Sequence, residues 1–427
     1  MNRATKESRI DWIGKIPDHW EIRRLGKYFV ERREKVNDRD FPPLSVTKQG
    51  ILPQLDTVAK SGDNENRKKV VSGDFVINSR SDRKQSCGLS SYTGSVSLIN
   101  TVVTHRNIHH NYIGYLLNNY GFAEEFFRWG HGIVMDLWTT NWKEMSSIPL
   151  PIPSSNEQIY ISSILDKRIP QVDRLIKVQD QQIEKIIQYK QSLISNAVIK
   201  GLFDDLTMKD IDIEWIDKIP ENWTIEKLKH SFTFGKGLTI TKEDLREVGI
   251  KTISYGEVHS KYPIRFNSEK DYLKCVDESY LGTNGQSILK KGDFIFADTS
   301  EDIQGSGDFS MNEGGDVFAG YHSIIIRNND DRISNNYLQY LFFSDYWRAQ
   351  VRSAVVGIKV YSISQKMLKN CYYLLPPLDV QKMICEYLDK KTQAIDALVE
   401  IKKRKIEKLN EYKKSYIYEC VTGKKEV

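Results

Sequence analysis

The sequence predicts an α+β protein in which two globular domains are joined by two long antiparallel coiled-coil helices. The expected organisation is a circular repeat with pseudo-two-fold symmetry. Two observations predict this fold class: a heptad pattern long enough to form a rod occurs twice, and the short motifs around it recur in the same order. With 427 residues, 40% of them hydrophobic, the chain is long enough to bury two cores.

The two predicted rods share a seam of seven-residue spacing. In the first rod the seam positions are Leu165, Val172, Gln179, Ile186 and Leu193, with Ile169, Ile176, Ile183, Lys190 and Ala197. In the second rod they are Leu388, Ile395, Lys402, Leu409 and Tyr416, with Thr392, Val399, Ile406, Lys413 and Cys420. Polar residues interrupt both seams at equivalent places, and such residues can fix register at a cost in stability.

The ends of the rods carry helix signals. Ser154 and Glu157 have the spacing of a capping box, and Asp379 is of a residue type that favours the N-cap position. Pro170 lies inside the first rod, where we expect it to kink or locally break the helix. A rod of about 45 residues would be roughly 65 Å long.

An internal duplication links the globular parts. Trp12–Leu25 and Trp215–Leu228 are identical at eight of fourteen positions, at an offset of 203 residues. Three further matches follow in the same order: Gly73–Ile77 with Gly292–Phe296, Asn111–Leu116 with Asn336–Leu341, and Gln158 with Gln381. Because chance does not give four collinear matches, the chain is a duplicated one.

Each globular part is expected to mix strands and helices. Apolar, β-branched stretches predict strands over Pro43–Thr47, Asp74–Asn78, Val96–Thr104, Thr252–Tyr255, Phe294–Ala297 and Ser323–Arg327. Asn111–Trp129 and Asn336–Val351 each predict one amphipathic helix. The predicted domain bounds are 1–153, rod 154–200, 201–378 and rod 379–427.

Several classes of protein are excluded by missing signals. The sequence has no phosphate-binding loop of the GxxxxGK[ST] type, no HExxH and no GxSxG. Its five cysteines form no CxxC pair, which indicates reduced thiols without a zinc site. No membrane-spanning stretch and no signal peptide is apparent, so we expect a cytoplasmic location. The net charge of +5 is compatible with nucleic-acid binding without requiring it.

The doubled set of motifs resembles the specificity subunit of type I restriction–modification systems. The resemblance covers essentially the whole chain, and the doubled set in this order carries it, since none of the motifs is specific alone. Its residues are the WIxKIPxxW motifs at Trp12–Trp20 and Trp215–Trp223, the rod starts Gln158…Leu165-Asp166 and Gln381…Leu388-Asp389, and the rod exits Ala197–Gly201 and Cys420–Gly423.

The resemblance implies a non-catalytic subunit with two target recognition domains, each binding one half of a bipartite, asymmetric site in double-stranded DNA. It implies that the rods set the gap and dock two DNA-adenine methyltransferase subunits, after which restriction (motor–nuclease) subunits join. No cofactor is expected in the chain itself; S-adenosylmethionine, ATP and magnesium are expected only in the partner subunits. Apolar residues outside the strict seam fit such docking: Ile161, Ile164, Leu175, Ile187 and Ile194.

Two other functions stay open from the sequence. One is a stand-alone, sequence-specific DNA-binding regulator with a coiled-coil spacer. The other is a structural spacer whose domains bind proteins.

In the first domain, the residues expected to contact DNA follow the Gly73–Asn78 strand. They are Ser79, Arg80, Ser81, Arg83, Lys84 and Gln85. Arginine and lysine can pair with guanine, glutamine with adenine, and serine with phosphate. A solvated basic loop is the alternative.

In the second domain, the equivalent segment Asp298–Gln304 is acidic, so it cannot act in the same way. The candidates there are Thr299, Ser300 and Gln304, with support from Lys236, Lys359 and Tyr361. Ordinary surface loops are the alternative for each of these segments.

Overall fold

A computed structural model describes residues 3–54, 65–133, 138–203, 205–355, 357 and 360–426. The chain divides into two units: unit 1 comprises residues 1–180 and 403–427, and unit 2 comprises residues 181–402. The boundary passes through both rods, so each unit holds one globular part and segments of two helices. The prediction of an α+β fold with two long helices is confirmed.

Unit 1 builds its globular part from short strands and three helices. The strands are β1 Thr5–Glu7, β2 Lys15–Pro17, β3 Glu21–Arg24, β4 Phe29–Glu31, β5 Lys35–Val36, β6 Leu44–Thr47, β7 Gly50–Pro53, β8 Arg67–Val70, β9 Phe75–Asn78, β10 Cys87–Leu89, β11 Gly94–Val96, β12 Asn100–His105 and β13 Pro149–Ile152. The helices are α1 His110–Leu117, α2 Tyr120–Arg128 and α3 Trp142–Ser147. The central sheet has the order β10-β9-β12-β4 and is antiparallel throughout.

Unit 2 follows the same plan after helix α4 (Ser155–Lys200). Its strands are β14 Met208–Ile213, β15 Ile216–Pro220, β16 Thr224–Lys227, β17 Phe232–Lys236, β18 Ile250–Ile253, β19 Ile264–Phe266, β20 Cys275–Val276, β21 Ile288–Leu289, β22 Phe294–Ala297, β23 Thr299–Ser300, β24 Phe309–Asn312, β25 Val317–Ala319, β26 Ser323–Asn328, β27 Tyr361–Ser362 and β28 Tyr372–Leu375. Its helices are α5 Tyr255–Ser260, α6 Tyr280–Thr283, α7 Asn335–Phe343, α8 Asp345–Ala354, α9 Gln365–Asn370 and α10 Leu378–Val421. The central sheet has the order β17-β26-β22-β24-β19.

Within each unit the long helices α4 and α10 run antiparallel. In unit 2, Lys190 Nζ lies 2.7 Å from both carboxylate oxygens of Asp396, and Lys402 Nζ donates to Gln182 Oε1 at 2.7 Å. As the residue number rises on one helix, it falls on the other. The polar seam residues thus have specific partners on the facing helix, as expected for residues that fix register.

The same arrangement occurs in unit 1, where Lys413 Nζ donates to Asp173 Oδ1 at 2.5 Å. Lys413 is the repeat counterpart of Lys190, and Asp173 is that of Asp396. The start of α4 and the end of α10 also share the unit 1 core, to which Leu165 and Cys420 belong, both fully buried.

The repeated tyrosine and glutamine tie each globular part to its rods. The buried Gln158 accepts from the His109 amide at 2.8 Å and donates to the Pro153 carbonyl at 2.9 Å. Tyr112 donates to the carbonyl of Val421 at 3.2 Å. These bonds join the globular part of unit 1 to the start of α4 and to the end of α10.

The counterparts in unit 2 make the same bonds and one more. Gln381 accepts from the Ser334 amide and donates to the carbonyls of Pro376 and Arg332, all at 2.8 Å. Tyr337 donates to the Val198 carbonyl at 3.2 Å. The two units therefore repeat these hydrogen bonds as well as the residue types that form them.

The capping box at the start of α4 is confirmed. Ser154 N and Oγ donate to Glu157 Oε2 at 3.1 and 2.9 Å, and Glu157 N donates back to Ser154 Oγ at 3.4 Å. The N-cap prediction for Asp379 is wrong by two residues, because α10 begins at Leu378 and the Gln381 amide bonds to the carbonyl of Pro377. Asp379 instead lies in the first turn of α10, where its negative charge interacts favourably with the helix dipole.

Three further expectations need correction. Helix α4 runs through Pro170 without a break. The residue is exposed, so the carbonyl that loses its helical partner there can bond to water. The predicted helix over 111–129 is two helices, because Asn119 accepts from the Phe122 amide at 3.0 Å and caps α2. The predicted helix over 336–351 likewise breaks at Ser344, which caps α8.

Four of the five apolar residues outside the seam divide into two groups, and the fifth, Ile164, is half-buried. Ile161 and Ile194 are buried in the cores of their own units, whereas Leu175 and Ile187 are 50% and 52% exposed. Only the second group is available to a partner. None of the helices in the described ranges combines the length and the apolar character needed to cross a membrane.

Candidate nucleic-acid interface

The loop at residues 79–85, called reading loop 1, continues strand β9 beyond the edge of the unit 1 sheet. Its base is fixed by backbone bonds: the Thr140 amide donates to the Ser79 carbonyl at 3.0 Å, and the Ser81 amide donates to the Trp138 carbonyl at 2.8 Å. The Ser79 hydroxyl is buried against Thr101 Oγ1 at 2.8 Å. Ser79 thus supports the loop in this structure.

Reading loop 1 presents three cations with acidic neighbours. Arg80 Nε lies 2.9 Å from Asp82 Oδ1, and Arg83 Nε lies 3.7 Å from Asp82 Oδ2. Lys84 Nζ lies 2.5 Å from Glu124 Oε1. The Arg83 side chain is 66% exposed. The loop is therefore a basic surface whose guanidinium groups are only partly neutralised.

Lys84 and Gln85 close the loop against helix α2. The Lys84 ammonium also lies over the ring of Phe127, at 4.9 Å from its centroid. Gln85 has a φ of +62°, in the left-handed region that non-glycine residues rarely adopt. A reversal of the chain at that point returns it to strand β10.

The segment at residues 298–304, called reading loop 2, holds the equivalent place in unit 2. Strand β23 pairs with β27, which places Thr299 opposite Ser362 and Ser300 opposite Tyr361. The Ile363 amide donates to the Asp298 carbonyl at 2.9 Å. Unit 1 has the counterpart of this bond, from Thr140 to Ser79. The two loops therefore begin at equivalent positions and are held by equivalent backbone hydrogen bonds.

The three candidate side chains within reading loop 2 differ in exposure, and that of Thr299 is half-buried. Ser300 is buried, and its hydroxyl accepts from the Asp302 amide at 3.4 Å. Gln304 has an exposed side chain, while its carbonyl accepts from Arg352 at 2.7 Å and from Arg348 at 3.3 Å. The arginines of helix α8 thus hold the acidic loop in place and leave the Gln304 amide available.

Sequence reasoning missed His259, which holds reading loop 2 from helix α5. Its Nδ1 lies 2.8 Å from Asp308 Oδ2 and its Nε2 lies 2.8 Å from the Thr299 carbonyl. Both partners only accept hydrogen bonds, so the imidazole satisfies both only when it is doubly protonated. The bond to Asp308 raises the pKa of His259 against partial burial, and the Thr299 carbonyl raises it further.

Asp308 is the common acceptor of this network. Arg348 Nη2 donates to its Oδ1 at 2.8 Å, opposite His259. Burial acts to raise the pKa of Asp308, but the hydrogen bond from His259 and the charge of Arg348 outweigh it and lower that pKa. The network places two cations on one half-buried carboxylate and so supports the base of reading loop 2.

Aromatic and histidine side chains beside reading loop 2 were also missed. His322 has a φ of +54°, its side chain is 55% exposed, and its Nδ1 lies 3.2 Å from Asp298 Oδ1. The Tyr255 ring lies 5.4 Å from that of His322. The sequence signal was weak, since these residues come from segments 43 and 24 positions away from Asp298.

The remaining predicted residues fall in three places. Lys236 ends strand β17 with an exposed side chain, and its register partner Ile324 lies beside the start of β26. Tyr361 is half-buried in strand β27. Lys359 lies outside the described residues. The sheet register therefore brings the ends of β17 and β22 and the start of β26 to one edge, where reading loop 2 begins.

Comparisons with known proteins agree with this geometry. Residues 220–411 match the family model of the type I restriction modification DNA specificity domain. Two relatives from Methanocaldococcus jannaschii are similar along nearly their whole length. The type I restriction enzyme MjaVIII specificity subunit is 24% identical over 96% of this chain and 94% of the relative, and the putative type I restriction enzyme MjaX specificity subunit is 22% identical over 96% and 95%.

The fold has a solved counterpart. A chain from a structural study of complex assembly and conformational transition of the type I R-M system has a TM-score of 0.69 and 14% identity. The match covers 95% of this chain and 98% of that chain. The resemblance to type I specificity subunits is confirmed.

Proposed function

We infer that this chain, a specificity subunit of a type I restriction–modification system, binds double-stranded DNA through one reading loop in each unit. The observation that carries this inference is the shared frame. The Thr140–Ser79 and Ile363–Asp298 backbone bonds hold both loops at the same place, while the loops differ in sequence and charge. A constant frame under variable loops is the arrangement expected of two readers of different sequences.

Reading loop 1 suits a half-site that contains guanine. Arg80 and Arg83 offer guanidinium groups, the side chains that most often pair with the guanine O6 and N7 atoms. Asp82 lies between both groups and limits their rotamers, which lowers the entropy lost on binding. Lys84, held over Phe127, is placed for a phosphate contact.

Reading loop 2 requires different chemistry. The exposed Gln304 amide can pair with adenine, and exposed carboxylates can accept from the cytosine amino group. His322 and Tyr255 add an exposed donor–acceptor group and an aromatic face at the same sheet edge. The two units would thus read unlike words, which makes the complete site asymmetric.

The expected site follows from the length of a DNA turn. Two half-sites of about three to five base pairs, separated by about five to seven, have centres about one turn or roughly 34 Å apart. Both readers then approach the same side of the duplex. The long helices are proposed to set this separation.

The proposed partners dock on apolar residues that recur on the two long helices. Leu175 and Val178 of α4 are 50% and 38% exposed, and their repeat counterparts Leu398 and Ile401 of α10 are 42% and 61% exposed. A surface that occurs once in each unit fits two copies of one partner. We assign these surfaces to two DNA-adenine methyltransferase subunits, with restriction subunits joining afterwards.

The chemistry is assigned to those partners. The chain is the non-catalytic component, and S-adenosylmethionine, ATP and magnesium would bind in the methyltransferase and restriction subunits. The cytoplasm, where the chromosome is accessible, is the expected location.

The test is to map methylated adenines in cells that express the chain with its methyltransferase. We expect a bipartite, asymmetric motif. Arg83→Ala should relax one half of the motif and leave the other unchanged, because reading loop 1 serves one half-site. The matched control is Lys27→Ala. Lys27 lies in the turn that precedes strand β4, at the end of the sheet away from reading loop 1.

Two results would contradict the proposal. A continuous or palindromic motif would exclude two unlike readers. Tight, specific DNA binding by the pure chain, with no methyltransferase recovered from co-expressing cells, would instead favour a stand-alone regulator.

A further inference from the structure

Two basic positions recur in the two units although most of the surrounding surface has diverged. Arg33 lies two residues beyond strand β4, and the offset of 203 residues places Lys236 at its equivalent (33 + 203 = 236). Lys143 lies in the first turn of α3, and the rod offset of 223 residues places Lys366 at its equivalent (143 + 223 = 366). All four side chains belong to exposed residues.

In unit 1 the two positions line one cleft. Arg33 and Lys143 share its walls with Lys35, Lys68 and Trp142, and one carboxylate, that of Glu31, is present. That carboxylate accepts from Arg33 Nε at 2.7 Å and lies 3.3 Å from Lys68 Nζ. Four cations and one carboxylate therefore line the cleft, which has a net positive charge.

In unit 2 a hydrogen bond brings the equivalent positions together. Gln365 Nε2 donates to the Gly235 carbonyl at 2.8 Å. Because Lys236 follows Gly235 and Lys366 follows Gln365, this bond places the two lysines on adjoining segments of the chain. Lys369, one turn further along α9, lies over the Phe234 ring at 5.2 Å from its centroid. This contact fixes the helix against strand β17.

Each basic pair stands next to a reading loop. In both units the segment that begins the short helix also supplies the backbone donor for the loop base, Thr140 in unit 1 and Ile363 in unit 2. The N-caps of these helices are equivalent as well, Asn141 and Ser364. Lys143 follows the donor Thr140 by three residues, and Lys366 follows the donor Ile363 by three residues.

The charges of Lys143, Lys236 and Lys366 have little structural use. Across the described ranges, no carboxylate lies within ion-pair distance of Lys143, Lys236 or Lys366 in this structure. An exposed cation without a partner contributes almost nothing to folding, so folding does not explain its presence at the same place in two diverged units. A ligand common to both units does, and the phosphate backbone is the part of DNA that is the same at every sequence.

We propose that Arg33 with Lys143, and Lys236 with Lys366, form two equivalent phosphate clamps that fix each reading loop against the DNA backbone without reading bases. The inference rests on the proposed function and adds the register-setting contacts to it. Binding would release about one counterion for each phosphate that is neutralised.

The experiment measures DNA affinity of the assembled methyltransferase complex against salt concentration. The variants are Arg33→Gln with Lys143→Gln, and Lys236→Gln with Lys366→Gln. We expect each pair of substitutions to reduce the magnitude of the negative slope of log K against log salt by about 2. Each pair should weaken the binding of specific and non-specific DNA alike. The methylated motif should stay the same.

Matched controls lie at the far ends of the same strands. Lys27→Gln and Lys229→Gln, in the turns that precede β4 and β17, remove the same charge and should leave the slope unchanged. Arg33→Lys and Lys236→Arg keep the charge and should retain the wild-type slope. Loss of complex assembly in a paired Gln variant would be detected by size-exclusion chromatography. The single variants Lys143→Gln and Lys366→Gln then decide the outcome, since each should reduce the magnitude of the slope by about 1.

An unchanged slope in both Gln pairs would overturn the clamps while wild-type binding leaves the proposed function intact. A changed methylated motif would also overturn them, since the residues would then read bases. Failure of the wild-type complex to bind any DNA would instead contradict the proposed function itself.

Discussion

The buried Gln381 offers a direct test of why the same glutamine recurs at the start of both rods. Its side chain is fully buried and bonds to three backbone groups, the Ser334 amide and the carbonyls of Pro376 and Arg332. Gln381→Ala leaves all three without their partner. Each lost bond of a buried group costs about 1 kcal/mol or more, and the cavity adds to this.

The expected loss is therefore about 3–4 kcal/mol for unit 2. For a unit of roughly 200 residues, each kcal/mol lowers the melting temperature by about 2–4 °C, so the shift should be about 6–16 °C. Gln158→Ala should cost less, about 2–3 kcal/mol in unit 1, because Gln158 makes two such bonds.

The assay combines calorimetry with hydrogen exchange, because two units need not unfold together. In Gln381→Ala, amides of helix α7 should lose protection while unit 1 peptides keep theirs. Gln393→Ala, on the exposed face of the same helix α10, is the control and should stay within about 0.5 kcal/mol. A loss below about 1 kcal/mol, or an equal loss in the control, would refute the anchoring role.

Three other predictions follow from the same contacts. A double-mutant cycle on Lys190→Ala and Asp396→Ala should give a coupling of about 0.3–1 kcal/mol that falls with salt, measured by urea unfolding; a coupling near zero would remove the register argument. His259→Gln should lower the melting temperature more near pH 6 than near pH 9. The raised pKa means that the imidazolium stabilises the fold at low pH and that this contribution is lost as pH rises through the folded pKa; equal shifts at both pH values would contradict double protonation. Leu398→Asp should reduce the methyltransferase copies bound from two to one, measured by native mass spectrometry; two retained copies would exclude that surface.

The repeat and the rods could be predicted from the sequence because both depend on short-range patterns of residue types. Heptads need only a spacing, and the capping box needs only Ser154 and Glu157, three positions apart. The role of Gln381 could not be read in that way, since Ser334 lies 47 residues away and only the fold brings them together. The sequence pattern shows that this glutamine recurs in both repeats, but it does not show which groups the glutamine hydrogen-bonds to.

The same limit explains the errors within the globular parts. The helix predicted over 111–129 breaks because the Asn119 side chain competes for the Phe122 amide, a signal that apolar periodicity does not register. The repeat offset of 203 residues pairs Lys236 with Arg33, but the two segments share too little sequence after Leu25 for a local pattern to show this pairing. His259 had no local signal at all, since its acceptors lie 40 and 49 residues away.

The two units also show how a scaffold can be kept while its surface changes. The turn before the central strand carries an aspartate in both, Asp74 and Asp293, each buried. In unit 1 its partner is Arg32 at 2.7 Å, which follows strand β4, whereas in unit 2 it is Arg327 at 2.6 Å, from strand β26. The requirement for a cation persists because a buried carboxylate must be paired, but neighbouring strands can supply it. Under the proposed function, a scaffold that tolerates such exchanges beside its reading loops could change the half-site read by one unit and leave the other unit unchanged.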